Sequence, residues 1–166
     1  TLKPFTEYCT KAGKGIFVLL RTSNPGMVDI EQKELKDGGR VLDQVGKELE
    51  RIAQEMKAIY PEQTCSPVGA VVGCTEESDA KALRNAYKDI YFLIPGYGAQ
   101  GGDARICGTL MKEAGGTVNS SRGILCAWKK DAECSAKAEK GTVTMTDIVE
   151  AAAKAAIASK EDLLRF

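Results

Sequence analysis

Residues 94–103 read IPGYGAQGGD and set Gly96, Gly98 and Gly101 in the spacing G-x-G-x-x-G, with Gln100 among them and Asp103 close behind. Glycines let backbone N–H groups approach an anion, and a helix starting just beyond them adds its positive end. Gln100 can turn its amide toward donors or acceptors on a ligand. Further on, NSSRG carries Ser121 and Arg122, and a guanidinium matches a phosphate in charge and geometry. A dinucleotide fingerprint places its glycine turn after the first strand, with an acidic residue about 20 positions later. Here the turn follows the third apolar run and the next run ends in Arg122, so a phosphate monoester fits better. The plainer alternative, a tight turn beside a solvated arginine, stays open on these residues alone.

A second polar turn, TSNP at 22–25, contains Ser23, whose hydroxyl can bond a polar ring or simply stabilise the turn. The chain has no histidine, which removes Ser-His-Asp and Cys-His chemistry and leaves Lys, Asp, Glu, Tyr and Cys for proton transfer. Its six cysteines form no C-x-x-C pair, so no metal site is expected and the thiols read as small apolar residues. Cys74 follows the second apolar run but has no basic neighbour in sequence, which argues against a nucleophilic role.

These residues need a scaffold, and the apolar pattern supplies one. GIFVLL (15–20), PVGAVVG (67–73), DIYFLI (89–94) and the weaker GTVNSS (116–121) read as strands, the first buried on both faces. Between them the 3.6-residue period predicts helices over 39–60, from Thr75 to about Tyr87, and from the cap Asp103 to Ala114. Pro4 to Ala12 suits a short leading helix, 131–138 another, and Thr144 with Asp147 has capping-box spacing for a final helix to about Leu164. Strands alternating with helices imply a parallel α/β sheet, and every glycine-rich or polar turn then falls at its carboxyl edge, where such folds bind ligands.

Lys plus Arg equals Asp plus Glu at 23 each in 166 residues, with no block of like charge, so neither nucleic acid nor a membrane surface is an expected partner. No apolar run is long enough to span a bilayer and no signal peptide is evident, so the chain is expected to be cytoplasmic.

Taken in order, KGIFVLLRTSNPG, PVGAVVGCT, FLIPGYGAQGGD and VNSSRGI resemble the orotidine 5′-monophosphate decarboxylase family, in its longer bacterial branch. The likeness runs over nearly the whole chain and matches the family's fifth to eighth strands. It implies an α/β fold that is half of a (β/α)8 TIM barrel, with residues 1–166 as the carboxyl-terminal half and the amino-terminal half elsewhere. It implies a reaction, the cofactor-free decarboxylation of orotidine 5′-monophosphate to uridine 5′-monophosphate. It implies roles: Ser23 on the pyrimidine, Gln100 between pyrimidine and phosphate, Arg122 on the phosphate, backbone N–H groups near Gly101 and Ser121 completing the grip, and Pro95 opening the mobile gripping loop. The family's Asp-Lys-Asp-x-x-x-Asp constellation does not occur here, so no catalytic residue is expected in this chain. A chain opening at Thr1 with its first methionine at Met27 is expected to be a fragment completed by the amino-terminal half, in a family whose whole barrels pair as homodimers. A related sugar-phosphate decarboxylase, a non-catalytic phosphate-binding half-barrel and a flavodoxin-like sheet are the alternatives.

Overall fold

The computed structural model describes residues 2–98 and 101–166. Four parallel strands, β1 (Ile16–Arg21), β2 (Val68–Val72), β3 (Phe92–Ile94) and β4 (Gly116–Val118), form one sheet in the order β1-β2-β3-β4. Strand order follows chain order, as in a (β/α)8 barrel, and there is no reversal of the kind that makes a flavodoxin-like sheet. Register is set by pairs such as Ile16↔Val68, Ala70↔Phe92 and Leu93↔Thr117, and it slips between Leu19 and Arg21.

Among the described residues seven α-helices alternate with the strands or follow them: α1 (Lys3–Ala12), α2 (Val41–Ile59), α3 (Glu77–Ala86), α4 (Ala104–Leu110), α5 (Ser121–Leu125), α6 (Ala132–Glu139) and α7 (Met145–Leu163). Helix α2 buries Leu42, Leu49, Ile52, Ala53 and Met56 on one stripe, and these meet Val68, Ala70, Val72, Phe92 and Ile94 from the sheet. The capping box of α7 is present, with Asp147 N–H donating to Thr144 Oγ1 at 3.2 Å and Thr144 N–H to Asp147 Oδ2 at 2.8 Å. No helix among the described residues is long and apolar enough to cross a membrane.

Several boundaries differ from the sequence pattern for identifiable reasons. Strand β1 is not buried on both faces: Phe17 and Leu19 remain 50% and 55% exposed, because the chain's helices cover only the other side of the sheet. Strand β3 starts at Phe92 rather than Asp89, since the Ile90 carbonyl accepts from Arg84 Nη2 at 2.8 Å and Asp89 pairs with Lys57. Strand β4 ends at Val118, and Ser121 opens α5 instead. Helix α4 stops at Leu110 because the chain turns through Glu113 at φ 60° before Gly115. Thr75 does not cap α3; the helix is flanked by Glu76, and Thr75 Oγ1 accepts from Arg21 Nη1 at 3.0 Å.

Candidate phosphate-binding site

All four strands point their carboxyl ends to one edge, which gathers Ser23, residues 95–98 and 101–103, and the 119–122 turn. A small cavity of about 110 Å³ opens there between the loops after β3 and β4. Its walls are Pro95, Gly96, Tyr97, Asn119, Ser120, Ser121 and Arg122. Three expected residues, Pro95, Ser121 and Arg122, are thus brought together from two strands. Arg122 is exposed, and among the described residues no carboxylate pairs with it. Ser121 and Arg122 form the first turn of α5, where backbone N–H groups have no acceptor within the helix.

Gly101 lies outside that cavity wall, and its N–H donates to the Gly98 carbonyl at 3.1 Å. The loop closes on itself twice more, with Gly98 N–H to Gly102 O and Gly102 N–H to Gly96 O, both at 3.1 Å. Glycine is required at Gly96 and Gly98, where φ is 101° and 69°. At Gly102 the reason is space: a Cβ there would collide with Cys74 Sγ and come within 2.7 Å of the Gly96 carbonyl. In this arrangement Gly101 N–H serves the loop, so contact with an anion requires that bond to be exchanged. Gln100 lies outside the described residues.

Underneath, the loop rests on the end of β2. Cys74 N–H donates to the Pro95 carbonyl at 3.2 Å, and Cys74 Sγ reaches the same oxygen at 3.3 Å. The Cys74 thiol is fully buried, so it seats the loop and is closed to attack on a ligand. A hydrogen bond between the Cys74 and Cys107 thiols pulls Cys74 below the ordinary thiol range and pushes Cys107 well above it. The Arg21 charge, which sequence spacing does not place near Cys74, adds to the first effect.

Arg21 is the residue that sequence reasoning overlooked. It is completely buried at the end of β1, donating from Nε to Asp79 Oδ2 at 3.1 Å and from Nη1 to Gly73 O at 3.1 Å. Asp79 also receives Arg40 Nη1 at 3.3 Å and Gln32 Nε2 at 3.3 Å, and Glu31 accepts the Thr22 N–H at 2.9 Å. These bonds tie the 22–40 segment to β2 and α3 on both sides of Ser23. A Cβ at Gly73 would lie 2.7 Å from Ser23 N, so Ser23 is fixed against the end of β2. The signal was only partial: an arginine closing an apolar run needs a carboxylate partner if it is buried, but Asp79 stands in the first turn of α3, beyond α2 and β2 in the chain.

Ser23 and Gly101 do not line the 110 Å³ cavity, although both stand at its edge of the sheet. A groove of about 710 Å³ between α1 and α2 contains none of the loop residues. Among the described residues no group of three Cys, Asp or Glu side chains is placed to hold a metal ion.

A parallel sheet in sequential order, with an arginine and a glycine loop meeting after its last two strands, is the arrangement of a portion of a (β/α)8 barrel, a fold that frequently builds a phosphate site from such loops. No family model matches the chain. It is 47% identical over 133 residues to the orotidine 5′-phosphate decarboxylase of Clostridium tetani, covering 78% of this chain and 44% of that protein. It is 44% identical over 131 residues to the Clostridium acetobutylicum orotidine 5′-phosphate decarboxylase, covering 78% and 45%. Among solved structures, Leishmania donovani UMP synthase superposes with a TM-score of 0.57 at 28% identity, over 84% of this chain and 29% of that one. A provisionally assigned orotidine 5′-phosphate decarboxylase from Streptomyces avermitilis gives 0.64 at 25% identity, over 98% and 50%. The chain is a homologue of the orotidine 5′-phosphate decarboxylases, and it spans less than half the length of the curated relatives it matches.

Proposed function

We propose that this chain supplies the phosphate- and pyrimidine-binding half of an orotidine 5′-monophosphate decarboxylase, a cofactor-independent carboxy-lyase that forms uridine 5′-monophosphate in pyrimidine biosynthesis. The observation that carries the reading is the cavity uniting Pro95, Ser121 and Arg122 at the carboxyl edge of a barrel-ordered sheet. The names and identities of the relatives support it.

In this reading residues 1–166 form strands five to eight of the barrel, and the amino-terminal half completes it. Arg122 and the first N–H groups of α5 hold the 5′-phosphate, with Gly101 joining when its loop bond is exchanged. Ser23 faces the pyrimidine from the opposite end of the sheet, and Gln100 spans the gap between ring and phosphate. The group that stabilises and protonates the C6 carbanion belongs to the other half. A grip on the remote phosphate lowers the decarboxylation barrier only to the extent that it strengthens in the transition state. The whole barrel acts in the cytoplasm as a homodimer.

Calorimetric titration of the chain with uridine 5′-monophosphate, uridine and a pentulose 5-phosphate tests the assignment. The nucleotide is expected to bind more tightly than either. Preference for the pentulose phosphate would move the chain to the sugar-phosphate decarboxylases, and preference for uridine would dismiss the phosphate pocket.

A further inference from the structure

Tyr97 stands at the junction of three elements. Its backbone bridges to Gly102 within the loop, its carbonyl accepts from Ser120 Oγ at 3.3 Å, and its hydroxyl donates to Asp162 Oδ2 at 2.8 Å. Asp162 sits in the last turn of α7, and its other oxygen lies 3.8 Å from Arg165 Nη1. These groups also wall a polar cavity of about 480 Å³, with Gly102, Ser120, Lys130, Ser159 and Asp162 in its lining. Partial burial and the Asp162 carboxylate raise the Tyr97 hydroxyl to about 12, so it stays a donor at neutral pH.

Tyr97 lines both this cavity and the small pocket, so its position fixes Gly96 on one wall of the pocket relative to Ser120–Arg122 on the other. We infer that Tyr97 and Asp162 are positioning residues: their hydrogen bond latches the segment around Gly96–Gly98 and its partner Gly102 to the carboxyl-terminal helix and holds the two walls of the anion pocket at the spacing a phosphate needs. Neither side chain has to touch the ligand. The latch rests on the phosphate-pocket reading above and adds the element that sets its geometry. A hydroxyl-to-carboxylate bond is specific in direction, so the conservative replacement that keeps an acceptor oxygen at 162 should work and an apolar one should not.

The test is nuclear magnetic resonance titration of the chain with inorganic phosphate, together with amide exchange at Gly98 and Gly102. Tyr97→Phe and Asp162→Ala are each expected to weaken phosphate binding about fivefold and to speed exchange at Gly102, while the double variant loses no more than either single one. Asp162→Asn should recover most of the loss. Unchanged binding in Tyr97→Phe, additive losses, or no recovery in Asp162→Asn would overturn the latch. Arg122→Ala separates the two ideas. A loss there with none in Tyr97→Phe removes the latch and keeps the pocket; no loss there, or no saturable binding by the unaltered chain, removes both.

Discussion

The two faces of the sheet have different fates in this chain. On the helix side Val68, Ala70, Val72, Phe92 and Ile94 are fully buried, and α2, α3 and α4 complete the layer. On the other side Phe17 and Leu19 keep about half their surface, and Phe17 has the Tyr91 ring as a tilted neighbour at 6.3 Å. In a barrel that second face is the packed interior, filled by side chains from all eight strands. The stability of the chain therefore lives on one face, and in the proposed reading the other is the face that the rest of a barrel would cover. The ligand edge lies where the two meet, and the loops there are held by polar bonds of their own.

Phe92→Ala should cost most, about 3–5 kcal/mol in urea denaturation, because it opens a cavity in the finished layer and removes the ring beneath the Arg84 guanidinium, 3.9 Å from its centroid. Asp79→Ala comes next at about 3 kcal/mol, since it strands the buried Arg21 charge; replacing both residues together should cost less than the single change. Phe17→Ala should cost only about 1 kcal/mol or less in this chain, and considerably more if, as proposed, an amino-terminal half covers that face. Equal losses for Phe17→Ala and Phe92→Ala would erase the contrast between the faces.

The smallest effect concerns α7. Lys137 and Thr144 hold the Asp147 carboxyl well below the usual carboxylate range. With the folded value below the unfolded one, this contribution is complete above about pH 4 and is lost as the pH falls through the folded value. The amide protection factors in the first turn of α7, with the intrinsic pH dependence of exchange divided out, should hold constant from neutrality to about pH 4 and fall only under stronger acid. A fall in protection near neutrality would rule out the Asp147 cap as the cause.

Much of the scaffold was legible because apolar runs and turn residues obey local rules. The four strands, the α2 stripe and the Thr144–Asp147 cap follow from periodicity and capping chemistry that act within a few residues. What escaped were effects of distant partners. Arg84 reads as an ordinary helix-surface charge, yet it is buried and takes the carbonyls of Leu110 and Ile90, which shortens β3 and lets α4 end early. Arg21 finds Asp79 across 58 residues of chain. At the site, the Gly-rich motif pointed to a tight loop open to an anion, but not to Gly101 spending its N–H on Gly98 or to Tyr97 reaching α7. Ser120 and Asn119 join the pocket wall through the early end of β4, which residue types alone did not place.

The central claim is that Arg122 holds the phosphate of a nucleotide. The direct measurement is the dissociation constant of uridine 5′-monophosphate and of uridine for the chain and for Arg122→Ala. Losing a charge-assisted bond of about 1.5–3 kcal/mol should weaken the nucleotide roughly 10- to 100-fold and leave uridine unchanged. Equal weakening of both, or none of either, would contradict the assignment of Arg122 to the phosphate.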